Sequence, residues 1–270
     1  MKIILSRKGF DSGSGGCASP IFPDGTMLSM PIPDPTGNYT YEELSAPGGI
    51  GYRDILKSLN PNKEYSTCHL DPDIRSGIRI KPSGWIPAFG QIDQAQTHLN
   101  NQAIQKGDLF LFFGWFRKTE YHNGKLRFVK DSPDIQAIYG YLQIGEIIDG
   151  TNVKRCPWHP HSDDSHIYRK NGSISNNTIY IAADKLIIDG TDSGLPGAGT
   201  LTFSENRVLT AEGKNRTIWK LNDVFENVNL SYHDKKCVKD GYFQSRCRGQ
   251  EFVFDEDPRA TEWAKRILNL

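Results

Sequence analysis

Two short stretches of the sequence concentrate histidine and aspartate. The first, CHLDPDIR, places His69, Asp71 and Asp73 at alternate positions. Alternate side chains of an extended backbone share one side, and imidazole and carboxylate groups gathered there can hold a metal ion or transfer protons. We therefore predict His69 and Asp71 as catalytic acid/base groups and Asp73 as a metal ligand. The alternative is a structural turn, because Asp-Pro-Asp is also typical of turns.

The second stretch, CPWHPHSDDSH, holds three of the seven histidines. In an extended strip His159 and His161 point the same way, which suits a divalent metal ion with a carboxylate as third ligand. His166, Asp163 and Asp164 belong to the same stretch. The zinc spacing H-E-x-x-H is absent, so a polar loop that collects histidines is the alternative. The prediction is a divalent metal cofactor bound by His159 and His161.

A glycine-rich loop, SRKGFDSGSGG, follows the first apolar run of the chain. Arg7 and Lys8 beside the backbone N–H groups of Ser12 and Gly13 suit a phosphate, so we predict nucleotide binding here. Asp11 has two interpretations. It acts on the ligand as base, metal ligand or nucleophile, or it shapes the loop by accepting its own backbone N–H groups. If it is catalytic, an Asp11→Asn variant would abolish modification and still fold.

Two further stretches could contact a nucleotide. In GDLFLFFGWFR the final residues Trp115 and Arg117 emerge from a buried strand, where they could stack on a base. In SRCRGQEFV, Arg248 suits a phosphate and Gln250 a base edge. The alternatives are core packing for the aromatic side chains and an edge strand with solvated charges.

The elements that position these stretches are predicted from periodicity and breakers. We expect helices over 52–59, 92–104 and 257–268, and strands over 108–116, 135–148 and 178–188, the second interrupted at Gly140 or Gly145. Without regular strand–helix alternation, the order favours an α+β fold with a mixed, largely antiparallel sheet and a few flanking helices. We expect one domain over 1–270, with a long ordered Pro/Gly-rich segment at 17–51.

The bulk properties restrict the class of partner. Lys+Arg and Asp+Glu both number 32 in the 270 residues, so the net charge is zero and any nucleic-acid contact needs a local basic patch. No apolar run approaches the ~18 residues that a membrane span requires. Five cysteines without a C-x-x-C pair favour reduced thiols and a cytoplasmic location.

Taken together, several stretches resemble one family in order and spacing. They are SRKGFDSGSGG, SPIFPDGT, PIPD, HLDPDIR, FGQ, GDLFLFFGWFR, IYGYLQIGE, HPH, LT..G and GQEFV. This pattern is similar to that of the nucleotide-modification-associated domain, the third family of that name. The resemblance implies nucleotides or DNA as partners in a phage or bacterial modification setting, together with other proteins of such a system. It assigns no role to any of the residues above.

A weaker resemblance covers about forty residues. KGDLFLFFGWF followed by AIYGYLQIGEI is similar to the strand pair of PUA-like modules that hold flipped bases, which implies a barrel portion in the fold. Fold-level likeness of this kind does not supply a function.

Two functional interpretations stay open from the sequence. The favoured one is an enzyme acting on a nucleotide or on a flipped base in DNA, with or without a metal ion, in which an exposed aromatic residue such as Trp115 helps to expose the base. The alternative is a non-catalytic reader of a modified base, in which the His/Asp stretches are structural loops. A scaffold for a modification complex is a third interpretation.

Overall fold

The computed structural model of the chain describes residues 1–37, 39–162, 176–247 and 249–270. The strands are β1 Ile3–Arg7, β2 Ser19–Ile21, β3 Ile32–Pro33, β4 Tyr39–Thr40, β5 Thr67–His69, β6 Ala88–Gln91, β7 Leu109–His122, β8 Lys125–Phe128, β9 Ile135–Asp149, β10 Thr178–Ala182, β11 Lys185–Ile188, β12 Thr191–Pro196, β13 Ala198–Thr200, β14 Ile218–Lys220, β15 Val238–Lys239, β16 Tyr242–Gln244 and β17 Glu251–Val253. The α-helices are α1 Tyr52–Leu59, α2 Asp93–Asn101, α3 Asp223–Asn227 and α4 Pro258–Leu268, and 3₁₀ helices span Gly150–Arg155, Pro160–Ser162, Glu205–Arg207 and Lys235–Cys237.

The main sheet has nine strands. Its central path runs β17-β1-β7-β9-β10-β6, with β2 and β8 paired to β7 and β13 paired to β9. The pairs β1–β7 and β2–β7 are parallel, and the other pairs of this sheet are antiparallel. The predicted α+β fold with a mixed, largely antiparallel sheet is therefore confirmed.

The sheet stays open. Within the described ranges its end strands β6 and β17 do not pair through their backbones, and a side-chain hydrogen bond from Gln91 to Glu251, 2.6 Å long, links them instead. The predicted barrel portion is thus not a closed barrel. In a closed barrel the backbones of β6 and β17 would pair at ~5 Å, whereas here two side chains span the gap between them.

The first eight residues of strand β7, 109–116, are all apolar because both faces of this part of the strand are covered. On one face Phe113 packs edge-to-face on Trp219, in a core that helix α4 also covers. On the other face Phe112 packs on Phe89 in a second core. A strand buried on both sides reads as a continuous apolar run, as predicted for 108–116.

One predicted strand differs in detail from the structure, and another is bulged at one of the two glycines predicted to interrupt it. The run 178–188 forms two strands, β10 and β11, and not one. The sheet register shifts where Ile181 faces Glu146 and Ala182 faces Ile144, so Gly145 is left as a bulge. A Cβ at Gly145 would lie 2.7 Å from the Cα of Ala183, which explains why the interruption needs glycine at this position.

Much of the Pro/Gly-rich segment, over 17–37 and 39–51, packs against the rest of the protein. Its apolar side chains, among them Leu28 and Met30, form a third core with Ile55 of helix α1. The hydroxyl group of Tyr41 donates to the carbonyl of Pro31 at 2.6 Å. No helix within the described ranges is long and apolar enough to cross a membrane.

A buried histidine outside the candidate site gives a pH prediction for stability. His233 shares its Nδ1 proton with the carbonyl of Ser231 at 2.9 Å and accepts from the Arg246 N–H at 3.1 Å, so its ring is held neutral. Burial lowers the pKa of His233 to about 4. The unfolded side chain binds a proton near pH ~6.5, so stability must fall as pH drops between these values.

We expect this one residue to account for up to ~3 kcal/mol of that loss. Urea unfolding at pH 7 and pH 4.5 should therefore show a smaller difference in unfolding free energy for His233→Gln than for the unmodified chain. An equal difference would contradict the assignment.

Candidate metal centre

The two histidine-rich stretches meet at the edge strand β6. His69 is the last residue of β5, and Asp71 follows two residues later. The backbones of Asp73 and Ala88 exchange hydrogen bonds of 2.9 and 3.1 Å, which fix this stretch beside β6. His161 lies on the short 3₁₀ helix Pro160–Ser162, on the same side of β6. The end of β5, the stretch 71–73, strand β6 and the 3₁₀ helix Pro160–Ser162 thus lie together. His69 and His161 meet here although they are about ninety positions apart in the sequence.

Three side chains offer ligand atoms to one point, namely those of His69, Asp71 and His161. The Nε2 atoms of the two histidines are 3.2 Å apart. The Oδ2 atom of Asp71 lies 3.6 Å from Nε2 of His161 and 3.8 Å from Nε2 of His69. A triangle with these sides has its equidistant point about 2.1 Å from each corner, which is the length of a zinc–nitrogen or zinc–oxygen bond.

The tautomer of His161 follows from its neighbour Asn177. The Asn177 amide donates from Nδ2 to the His161 carbonyl at 2.8 Å, so its Oδ1 faces the ring and lies 2.9 Å from Nδ1. Nδ1 must then carry the proton, and the lone pair of Nε2 points at the centre. Burial lowers the pKa of His161 to about 3, so the ring is neutral near pH 7.

The second imidazole reaches the centre from the solvent side. Nε2 of His69 faces Nε2 of His161 at 3.2 Å, and two nitrogens approach this closely only with a proton or a cation between them. Nδ1 of His69 lies 3.8 Å from a carboxylate oxygen of Asp34. The side chain of His69 is 12% exposed, against 5% for His161, so access to the centre is from the His69 side.

The Asp71 carboxylate is held by one oxygen and presents the other. Oδ1 accepts the Gly90 N–H at 2.9 Å and lies 3.6 Å from Nε2 of His159. Burial alone would raise the pKa of Asp71, but the surrounding imidazoles outweigh it and hold this pKa well below its usual value. The carboxylate is therefore ionised, as a metal ligand must be.

His159 differs from its predicted role as a ligand. Its Nδ1 accepts the backbone N–H of His161 at 3.2 Å, so a neutral ring carries its proton on Nε2 and cannot offer that atom to a metal ion. The protonated Nε2 faces Oδ1 of Asp71 at 3.6 Å. The geometry thus makes His159 a buried support for Asp71, in the way that outer groups orient metal ligands.

Asp73 is a correction to the prediction that three alternate residues share one side. Its carboxylate turns away from the centre and accepts two hydrogen bonds from Arg79, of 3.2 and 2.6 Å, and one of 2.7 Å from the Trp85 indole. The backbone is extended at His69 but not through Asp71 and Pro72, so the alternation that the prediction assumed ends there. Asp73 is a structural residue in this arrangement.

A small cavity adjoins the carboxylate of Asp71. Its volume is about 30 Å³, and Ser29, Arg75 and Tyr139 are among the residues that line it. The hydroxyl group of Tyr139 is buried and makes no hydrogen bond to any described residue. The cavity has room for about two waters, which would satisfy such a group.

The two cations of the glycine-rich loop are engaged inside the protein. The ammonium group of Lys8 pairs with Glu251 at 3.0 Å, and both side chains are nearly or fully buried. The guanidinium group of Arg7 donates to the carbonyls of Arg246 and Cys247 at 2.7 Å each. These contacts account for the positions of Lys8 and Arg7 without a bound phosphate. The sequence analysis had predicted a phosphate as the partner of both cations.

Asp11 shapes its own loop. Its Oδ1 accepts the backbone N–H groups of Gly13 and Ser14, the former at 2.7 Å. The Ser12 hydroxyl accepts from Arg216 at 2.9 Å. Of the two interpretations of Asp11, the contacts within the described residues match loop shaping.

This arrangement predicts a small effect of Asp11→Asn. Asparagine keeps the Oδ1 acceptor, so metal content and any modifying activity should stay within about twofold of the unmodified chain. Asp11→Ala removes the acceptor and should lower the unfolding free energy by ~1 kcal/mol. Loss of activity in a folded Asp11→Asn variant would instead support a chemical role for Asp11.

The remaining predicted nucleotide contacts lie elsewhere on the sheet. The guanidinium group of Arg216 lies 3.9 Å from the centre of the Trp115 ring and covers one face of it. Arg117 donates to the carbonyl of Val129 at 3.3 Å, and Gln250 accepts a weak bond from Gln91 at 3.3 Å. Arg248, and the predicted residues Asp163, Asp164 and His166, lie outside the described residues.

Sequence reasoning missed three residues of the centre. Asp34 and Gly90 occur in the motifs PIPD and FGQ, which carried the family resemblance, but nothing in the sequence linked them to His69 or His161. Asn177 carried no signal, because its role depends on a contact with the His161 ring.

The fold and the site together define an α+β protein with a buried His–Asp–His centre at the edge of an open mixed sheet. Residues 2–255 match the family described as nucleotide modification associated domain 3, and the chain belongs to this family. The family resemblance predicted from the motifs is therefore confirmed. No curated protein and no solved structure matches the chain.

Proposed function

We propose that the protein is a metal-dependent enzyme of nucleotide or DNA-base modification. The observation that carries this proposal is the convergence of His69 Nε2, His161 Nε2 and Asp71 Oδ2 on one point about a bond length from each. The family supplies the association with nucleotides.

The ligand set supports a catalytic site. Structural zinc sites have four protein ligands, whereas catalytic sites have three and leave positions open for water or substrate. Two imidazoles and one carboxylate suit a transition ion such as Zn²⁺ or Fe²⁺ better than Mg²⁺ or Ca²⁺, which prefer oxygen. Such an ion would act as a Lewis acid or activate a bound small molecule.

The residues of the chain have separable roles in this proposal. His69, Asp71 and His161 bind the ion. Asn177 fixes the tautomer of His161, and His159 orients Asp71. The substrate approaches from the exposed side of His69, and the cavity beside Asp71 holds a small second reactant.

The proposal is tested by metal content and metal-dependent product formation. The full chain, purified without chelators, should contain about one transition ion per molecule by plasma mass spectrometry. Nucleosides recovered from treated DNA and from a mononucleotide panel should show a new mass only with the metal-loaded protein. His122, exposed on the β7–β8 hairpin, supplies the control variant His122→Ala, which should retain both properties.

Folded protein without metal affinity and without product would refute the proposal. If that protein bound modified DNA more tightly than plain DNA, the reader interpretation would replace the enzyme.

A further inference from the structure

The loop 74–87 begins and ends at the candidate metal centre. Its base is the pair Asp73 and Ala88, joined by backbone hydrogen bonds of 2.9 and 3.1 Å. Two residues before this base lies Asp71, and two residues after it lies Gly90, which donates to Asp71. Anything that this loop binds is therefore bound next to the centre.

One buried carboxylate braces both sides of the loop. Asp73, 1% exposed, accepts from Arg79 on the outgoing side and from the Trp85 indole on the returning side. The Arg79 guanidinium also lies over the ring of Tyr39, 4.5 Å from its centre. The tip between Arg79 and Trp85 is consequently held in a fixed position relative to the centre.

The fixed tip presents a large aliphatic side chain to solvent. Ile80 is 95% exposed, the highest value among the exposed large hydrophobic side chains of the described residues. Ile86, on the returning side, is 46% exposed. Single exposed apolar residues are common on protein surfaces, but Ile80 combines full exposure with a braced loop beside a candidate active centre.

The loop is positively charged in a chain of zero net charge. No Asp or Glu occurs from residue 74 to residue 91, whereas Arg75, Arg79 and Lys81 all do. Asp73 neutralises Arg79. Arg75, at the start of the loop, donates to the Met27 carbonyl. Lys81 lies in the tip next to Ile80, with its ammonium group 4.7 Å from the centre of the Trp85 ring.

We propose that the loop 74–87 binds duplex DNA and inserts Ile80 between base pairs beside the target base, with the neighbouring Lys81 on a phosphate. Apolar wedges flanked by cations are the means by which proteins unstack a base step, and an enzyme that acts on a base must take it out of the stack. The sequence had suggested Trp115 for this role, but Arg216 covers one face of that ring.

The inference rests on the proposed function and makes it narrower, because it names the substrate as a nucleotide within a duplex. A free nucleotide has no base step into which Ile80 could insert. The charge of the loop is the reason for preferring DNA to a protein partner.

The test uses the full-length chain and a short DNA duplex with 2-aminopurine in a mismatched pair, where unstacking raises fluorescence. Ile80→Ala should abolish most of the fluorescence increase and weaken duplex binding by about tenfold, because truncation removes most of the buried aliphatic surface. Ile187→Ala is the matched control, since Ile187 is 39% exposed on the β11–β12 hairpin. Lys81→Gln should reduce the salt dependence of binding by about one counterion.

The outcomes separate this inference from the proposed function. If Ile80→Ala behaves like the unmodified chain, or if the protein binds mononucleotides or another protein but no duplex, the loop proposal is overturned. Metal content should be unchanged in Ile80→Ala. If the protein holds no metal yet shows Ile80-dependent unstacking, the proposed metal-dependent activity fails and the loop proposal stands.

Discussion

Asp71→Ala and His161→Ala are each expected to reduce metal affinity by at least about 100-fold. Either change deletes one of three ligands, and a loss of 10–100-fold is already typical when only an outer-shell partner is removed. Asp71→Ala also removes the one negatively charged ligand, leaving only the two imidazole nitrogens, 3.2 Å apart, to hold the ion. Isothermal titration of the chelator-stripped protein with Zn²⁺ measures the effect.

Graded variants of one supporting residue provide the control. Asn177→Ala removes the acceptor that fixes the His161 tautomer and should cost about 10–100-fold in affinity. Asn177→Asp keeps an acceptor oxygen at Nδ1 but sets its second oxygen against the His161 carbonyl, so its zinc affinity should lie between those of the unmodified chain and Asn177→Ala. Equal affinities for the unmodified chain, Asp71→Ala and Asn177→Ala would show that zinc binds elsewhere.

Gly90→Ala is expected to disrupt the centre by steric overlap alone. A Cβ at Gly90 would lie 2.4 Å from Cδ2 of His161 and 2.8 Å from Cε1 of His159, and both rings are buried with little room to move. The rings must shift from their places beside Asp71. We expect a loss of metal affinity of at least about tenfold and a fall of ~1–3 kcal/mol in unfolding free energy.

Gly77→Ala is the matched control, because a Cβ at Gly77 meets nothing within 4 Å and its φ is not positive. Thermal unfolding and zinc titration of both variants show whether the loss in Gly90→Ala comes from steric overlap with the two imidazole rings. If Gly90→Ala binds zinc as tightly as Gly77→Ala, the packing of the two imidazoles against β6 is not what positions the ligands.

Local patterns of the sequence were sufficient to locate helices α1, α2 and α4 and the central strands β7 and β9, but not most of the short strands. Helix α1 occupies the predicted residues 52–59, and helix α4 begins at Pro258, with Asp257 accepting the Arg259 N–H as its N-cap. Helix α2 ends at Asn101, three residues earlier than predicted, because the chain turns at Ala103 with a positive φ. Such turns depend on packing against the rest of the protein, so the spacing of apolar residues along the helix does not predict them.

The sequence pointed to the separate stretches that form the centre, but not to the contacts that bring these stretches together. The prediction placed His69 beside Asp71 as an acid/base pair and His161 in a metal site, and the structure brings these three side chains together. The distinction between ligand and support needed the hydrogen bonds of each ring, since His159 and His161 are chemically identical in the sequence and differ only in the partner of Nδ1. The role of Gly90 is a contact across about seventy residues, which no local pattern contains.

Lys8 and Arg7 show the converse error. A basic pair on a glycine-rich loop matches the pattern of a phosphate site, but the pattern omits what lies opposite in space. Here that is Glu251, buried in β17, together with two carbonyl groups that follow β16. The sequence indicates that a buried charge needs a partner, but it does not indicate which residue that partner is.

Anomalous diffraction from crystals soaked in Zn²⁺ would show whether the two imidazoles and the carboxylate bind an ion. We expect one strong anomalous peak about 2.1 Å from Nε2 of His69, Nε2 of His161 and Oδ2 of Asp71, with His159 still hydrogen-bonded to the His161 N–H and outside the coordination sphere. A peak bound by other residues, or no peak at this position in an otherwise ordered centre, would contradict this expectation.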